Sequence, residues 1–361
     1  MANENKNRQT AGAGQPHKRR AHYSGKYPKR FEEKYKELQP EKYEDIAEHV
    51  TAKGNTPAGT HIPIMVDEIL DFLQIAPGQN GLDCTFGYGG HSSRMLEALA
   101  GEGHLVSLDV DPIESQKSLA RLRGLGYGED IFSVELINFA NIDQVAAKYG
   151  PFDFILADLG VSSMQIDNPE RGFSYKTEGP LDLRMDPTKG QSGAERLREM
   201  DEDEIIGMLM ENADEPYAEL IAATIVSFRK AGQPIETTRQ LAAIIERALK
   251  NVKGISEKDR KELVKKSCAR TFQALRIEVN REYEVLYELL EKLPGALKSG
   301  GRAAILTFHS GEDRLVKQSF KTLTREGIYS ECARDVTRPT PSECVRNPRA
   351  RSTKLRWAIK A

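Results

Sequence analysis

The chain has 361 residues, 39% of them hydrophobic, with 52 Lys and Arg against 54 Asp and Glu for a formal net charge of −2. That length suits two domains or one domain with a large insertion, and no apolar run approaches the ~18 residues of a membrane span. Cys84, Cys268, Cys332 and Cys344 form no C-x-x-C pair, which argues against a metal site or a disulfide framework, and without a hydrophobic signal core the expected location is cytoplasmic.

Residues 1–57 are polar and read as a basic, disordered N-terminal arm, with a weak helix near 31–50. As far as Arg30 its sole acid is Glu4, against Lys6, Arg8, Lys18, Arg19, Arg20, Lys26, Lys29 and Arg30. Such an arm is either a solubilising tail or a phosphate-attracting segment. From His61 the globular part begins, and Ile64, Met65, Ile69, Leu70 and Leu73 recur at helical spacing ahead of a first strand at 80–85. The stretch Gly81 to His91 then reads as a strand end, a glycine-rich turn and a helix start. Glycines at 87, 89 and 90 permit positive φ and close backbone approach to a ligand, and free amides at a helix start favour oxygen-rich groups. The spacing is G-x-G-G, not the G-x-G-x-x-G of a dinucleotide site, which counts against a nicotinamide-dependent oxidoreductase. A purely structural turn stays open at this point.

A second strand at 104–108 ends in Asp109, 22 positions after Gly87. A carboxylate about 20 residues beyond such a turn is placed to accept from both hydroxyls of a ribose. A third strand at 131–136 leads to Phe139, which either stacks on an adenine or fills the core. A fourth, at 152–157, ends in Asp158-Leu159-Gly160-Val161-Ser162-Ser163. Strands alternating with helical patterns predict an α/β fold, a Rossmann-like doubly wound parallel sheet with ligands at the carboxyl strand ends, where Asp83, Asp109 and Asp158 all fall. A helix cap is the alternative for each acid.

Beyond Ser163, a long Pro/Gly-punctuated segment contains Arg171, Phe173, Tyr175 and Arg184, and its length argues for a functional role. Helices follow near 194–211, 216–231 and 237–250. Residues 170–268 therefore read as an inserted helical substrate-recognition domain, splitting a sheet domain into 58–169 and 269–361. One helix is expected at about 268–292, with a buried stripe of Phe272, Leu275, Val279, Tyr283, Leu286 and Leu290. Arg270, Gln273, Arg276 and Asn280 share another face that carries no acid, which suggests phosphate or base contact over a plain solvated face. A strand at 302–308 runs into His309; Ser310 and Asp313 fit a capping pattern, leaving His309 as a substrate contact or a buried histidine. Strands at 329–333 and 355–359 close the chain as an antiparallel pair, and between them Arg346, Arg349 and Arg351 make a run basic enough to touch RNA.

The motifs Thr85 to Ser92, Asp158 to Ser163, Arg171 to Asp186, Arg270 to Arg276, Phe308-His309-Ser310 with Glu312-Asp313-Arg314, and Asn347 to Ser352 occur in one order. Together, from His61 to Lys360, they resemble the RsmH (MraW) family, S-adenosylmethionine-dependent enzymes that methylate N4 of a cytidine in 16S rRNA near the decoding centre. The resemblance implies a class I methyltransferase sheet with a helical insertion, and cofactor contacts at Gly89, Gly90, His91, Asp109, Phe139, Asp158 and Gln165. S-adenosylmethionine has no phosphate, so the glycines accommodate its methionine end and Asp109 its ribose. For the chemistry, Asp158 is expected to accept a hydrogen bond from the target amine while Ser162, Ser163 and His309 hold the base. Phe173 or Tyr175 would stack on that base. Arg171, Arg184, Arg270, Gln273, Arg276, Asn280, Arg349 and Arg351 are the expected RNA contacts. The implied partner is 16S rRNA within an assembled small subunit, with no membrane partner and with oligomeric state open. Cys84, Met164 and Gly311 depart from the family's usual glycine, proline and leucine, and 212–219 lacks its usual glycine-glutamate-glutamate pattern. A paralogue acting on another RNA base, or a non-catalytic ribosome assembly factor, is the alternative.

Overall fold

The computed structural model of the chain describes residues 63–361. The expected arm, the helix near 31–50 and the start at His61 lie outside the described residues. β1 (Asn80–Asp83), β2 (His104–Asp109), β3 (Phe132–Leu136), β4 (Phe152–Asp158) and β5 (Leu297–Thr307) are parallel. β7 (Lys354–Lys360) runs antiparallel to β5 and to β6 (Tyr329–Cys332). The resulting seven-stranded sheet has the order β3-β2-β1-β4-β5-β7-β6. The α/β expectation holds, with the strand order reversing beside β1, where open sheets bind ligands.

Alternation of side chains along the strands gives the sheet two apolar faces. α1 (Val66–Leu73) and α2 (Gly90–Leu99) cover the face of Leu105, Phe154, Leu156 and Leu306, where Leu122 of α3 (Pro112–Gly124) also packs. The opposite face, with Leu82, Val106, Ile155 and Ile305, receives α4 (Ile142–Tyr149), then Leu286 to Leu293 and Val316 with Phe320 from two later helices. β4 is buried along nearly its whole length, as a central parallel strand covered on both faces must be. The short α5 (Ser163–Asp167) follows it.

A third core is formed by α6 (Gly193–Glu199), α7 (Glu202–Ala213), α8 (Ala218–Lys230), α9 (Thr238–Leu249) and α10 (Glu257–Asn280), the last through Cys268 to Leu275. The helix expected at 194–211 is two, because consecutive capping boxes, Ser192 with Glu195 and Asp201 with Glu204, start separate helices around extended Met200. The helix expected at 268–292 is also two. α10 begins at Glu257 behind the Ser256 cap and stops at Arg281, which takes a left-handed conformation (φ 52°, ψ 43°), before α11 (Glu282–Ala296). The predicted apolar stripe changes core at this break. Phe272 and Leu275 belong to the helical core and Leu286 and Leu290 to the sheet, with Val279 and Tyr283 half-buried between. α12 (Ser310–Arg325) and α13 (Pro341–Arg346) complete the chain. No helix among the described residues is long and apolar enough to cross a membrane.

Candidate active site

A cavity of about 420 Å³ opens at the carboxyl ends of β1, β2 and β4, within the usual range for small-molecule sites. One wall is the glycine turn. The Gly87 amide donates to Asp109 Oδ2 at 2.8 Å and the Asp111 amide to Asp109 Oδ1 at 2.8 Å, so this carboxylate is fixed at the tip of β2. Burial pushes the Asp109 carboxyl up to about 6, against those two backbone donors. Gly89 has φ 66°, and a Cβ there would lie 2.7 Å from the Phe86 ring, so a side chain is excluded by conformation and by space. Gly87, Tyr88, Gly90 and His91 line the cavity, whereas Gly89 shapes the turn without facing it. α2 starts with no side-chain cap, leaving its first amides to other acceptors.

The second wall follows β4. The Asp158 amide donates to Thr85 Oγ1 at 2.7 Å, tying this strand end to the turn. His91 is buried, with Nε2 2.9 Å from the Ile64 carbonyl oxygen and Nδ1 3.5 Å from Asp158 Oδ2. Asp158 Oδ1 is shielded from solvent and has no hydrogen-bond partner among the described residues. Burial pushes the Asp158 carboxyl up to about 6, with His91 opposing the rise. Asp83 lies behind, accepting from Ser92 Oγ at 2.6 Å and from the Thr85 amide at 3.0 Å. It is not a cavity residue. Phe139, Ser162, Ser163 and Gln165 line the cavity. Ser162 caps α5, and Gln165 completes the capping box before donating from Nε2 to Asp111 Oδ2 at 3.0 Å.

The third side is polar and comes from α10, α11 and the end of β5. Arg276 holds Glu282 through both carboxylate oxygens at 2.7 and 2.9 Å, and Asn280 and Glu312 stand beside them in the cavity wall. His309 is absent from that wall. The α12 cap is His309 with Glu312, not Ser310 with Asp313, because β5 ends at Thr307 and the helix begins one residue earlier than expected. Asp313 instead accepts from Arg356 and Lys354 at 2.6 and 2.8 Å. His309 Nε2 lies 3.2 Å from Glu312 Oε1 as an ion-pair contact and has no hydrogen-bond partner among the described residues. Burial pushes Glu312 up, but His309 and the Phe308 amide outweigh it and hold the carboxyl below its usual value. Glu282, His309 and Glu312 bring ligand atoms within 4.8 Å of one another. The Arg276 guanidinium already takes the cation's place at Glu282.

Several expected RNA contacts face inward. Phe173 is buried in the helical core, so its ring is not free to receive a base, while half-buried Tyr175 packs on Phe272 with ring centroids 5.8 Å apart. Arg171 is 9% exposed and bonded to Asp111. Arg184 is clamped on Asp182 at 2.8 Å through two nitrogens. Gln273 donates to the Asn212 carbonyl, and Arg270 lies 3.9 Å from buried Glu215. The face without acids thus meets acids from elsewhere. Arg349 lines the cavity and pairs with Asp167 at 2.7 Å, while Arg351 is exposed.

Sequence reasoning missed Asp111, Glu282 and Glu312. The Asp111-Pro112 pair is an N-cap followed by proline at the first helical position, a readable signal; the other two depend on the fold. Gly311 now has a physical reason. A Cβ there would lie 1.9 Å from Tyr283 Oη, so the ring of Tyr283 fills the space a longer side chain needs. Gly311→Leu is expected to lower stability by about 1–3 kcal/mol through overpacking. Chemical denaturation checks this, and adding Tyr283→Ala should recover part of the loss.

The turn, the carboxylate at the tip of β2 and the acid at the end of β4 form one cleft, and sequence relatives share the whole chain that builds it. "Ribosomal RNA small subunit methyltransferase H 1" of Agathobacter rectalis is 62% identical over 345 residues, spanning 96% of this chain and 98% of that protein. The protein of the same name in Lachnoclostridium phytofermentans is 60% identical over 369 residues, covering both chains completely. Among solved structures, an rRNA methylase from Streptococcus thermophilus covers 80% of this chain and 92% of its own at 13% identity, with a TM-score of 0.36. The model of the MraW methylase family matches residues 58–361, every element of the cleft included, and the chain belongs to that family.

Proposed function

We propose that the protein transfers a methyl group from S-adenosylmethionine to N4 of a cytidine in small-subunit ribosomal RNA, acting in the cytoplasm on an assembled subunit. The observation that carries this reading is the Asp158 carboxylate at the cavity wall, 27% exposed and, apart from His91 3.5 Å from its Oδ2, without a side-chain hydrogen-bond partner among the described residues: an acceptor open to a donor. The residues fit the cofactor: Asp109 is held by two amides for a ribose diol, and the uncapped start of α2 lies beside His91 for a carboxylate. When bound, the cofactor supplies an electrophilic sulfonium methyl group.

The chain's own residues deal with the other reactant. An exocyclic amine is a weak nucleophile because its lone pair is delocalised into the ring. Asp158 accepts a hydrogen bond from that amine, which localises the lone pair, and the backbone tie to Thr85 keeps the carboxylate in place. His91 stands 3.5 Å from the other Asp158 oxygen and steadies the carboxylate's charge. Ser162, Ser163 and the Arg276–Glu282 pair present polar groups around the base. The base leaves its stack at a cost of a few kcal/mol. RNA outside the cleft meets Arg349 and Arg351 and the helical layer at 170–268. Labelled methyl incorporation into small subunits from cells lacking the gene tests the reading; subunits that stay unlabelled refute it.

The two raised carboxyls give a pH dependence. Asp109 and Asp158, both near 6, must be ionised to accept hydrogen bonds, so activity falls as pH drops through that value. At low cofactor both groups shape the profile, and the rate should fall with a slope approaching two per pH unit. At saturating cofactor Asp158 alone should govern, with a slope near one. Initial rates across pH at the two cofactor levels check this.

A further inference from the structure

We propose that Arg171, paired with Asp111, is a positioning residue that ties the cofactor end of the cleft to the segment at 183–185, so that cofactor binding orders the RNA side. This rests on the methyltransferase reading. Asp111 lies two residues beyond Asp109 and is 1% exposed. Its Oδ1 caps α3 by accepting from the Ile113 and Glu114 amides at 3.0 and 3.1 Å. Its Oδ2 accepts from Gln165 Nε2 at 3.0 Å and from Arg171 Nη1 at 2.6 Å. Arg171 Nη2 then donates to the carbonyls of Arg184 and Met185 at 3.1 and 2.8 Å. From the far side, Asn280 accepts from the Met185 amide at 2.7 Å and donates to the Leu183 carbonyl at 2.8 Å.

Leu183–Met185 is therefore fastened at both ends, once to the cofactor side and once to α10. The pinning matters, because Leu183 has φ 66°, a conformation a branched residue does not hold unaided. Its side chain is buried in the helical core, while Met185 is part of the cavity wall. The segment thus joins the helical layer to the cleft. A buried ion pair is weak evidence for stability, but a guanidinium fork fixes three acceptors in one arrangement, which an ammonium does not. The path upstream is short. The Asp111 amide donates to Asp109 Oδ1, so a ligand on Asp109 restrains Asp111, and Asp111 restrains Arg171.

The test uses the full chain with S-adenosylhomocysteine as the cofactor probe and small subunits from cells lacking the gene. In the wild type, S-adenosylhomocysteine should slow amide exchange in residues 181–190 by about fivefold or more, and Arg171→Lys should remove that protection. The variant should bind S-adenosylhomocysteine within about threefold of wild type while its KM for subunits rises about tenfold, with kcat less affected. Unchanged exchange at 181–190 in the wild type overturns the proposal, and this arm stands even if the variant does not fold. So does a variant whose cofactor affinity and subunit KM worsen in equal proportion, the mark of a merely structural role. A wild type that protects 181–190 but methylates no subunit would instead sink the proposed substrate.

Discussion

Asp158→Ala is expected to reduce methyl transfer by about 10²–10³-fold or more at saturating substrates, the range for loss of one preorganised polar group at a reacting centre. Cofactor affinity should fall less, by under about tenfold, since the glycine turn and Asp109 are untouched. The asymmetry follows from the geometry. Among the described residues Asp158 Oδ1 has no hydrogen-bond partner, so the substitution costs the fold only the 3.5 Å contact of Oδ2 with His91. The tie to Thr85 runs through the Asp158 backbone and survives the change. Asp158→Asn keeps the volume but loses the charge, and should fail nearly as badly. Single-turnover rates with preloaded labelled cofactor, set against calorimetric titration of S-adenosylhomocysteine, separate chemistry from binding. Wild-type turnover in Asp158→Ala would remove the residue from the mechanism.

Asp109→Ala should act in the opposite sense, weakening cofactor binding by about 10²-fold. Hydrogen bonds to a charged acceptor contribute about 1.5–3 kcal/mol each, and the loss of even two weak ones amounts to about 3 kcal/mol. The substitution also leaves the Gly87 and Asp111 amides without their acceptor, which loosens the turn that forms the first wall. At saturating cofactor kcat should recover most of its value. Calorimetry and the cofactor KM measure this, and an unchanged Kd would show that the ribose is held elsewhere.

The cleft was legible because its acids stand at strand ends. β1, β2 and β4 end where apolar runs meet Asp83, Asp109 and Asp158, and parallel strands bring such ends to one rim whatever the loops do. What sequence hid depends on tertiary contacts. Periodicity carried the helix through Arg281, but hydrogen bonds between Asn280 and the segment at 183–185 hold its end, and a left-handed arginine has no signal of its own. Arg270, Gln273 and Arg276 looked unpaired because their partners, Glu215, Asn212 and Glu282, lie on other elements or beyond the break. The cap of α12 was misread by one residue, which made His309 look spare when it caps the helix. Phe173 and Tyr175 looked like a stacking platform because a Pro/Gly-rich segment rarely supplies a core. Here it does, folding onto Phe272.

Nucleoside mass spectrometry of small-subunit rRNA, from cells with the gene, without it, and without it but carrying Asp158→Ala, tests the assignment of activity and of its central residue together. N4-methylcytidine should be present in the first and depleted in the other two. Unchanged N4-methylcytidine in cells lacking the gene, or its full return with Asp158→Ala, would contradict it.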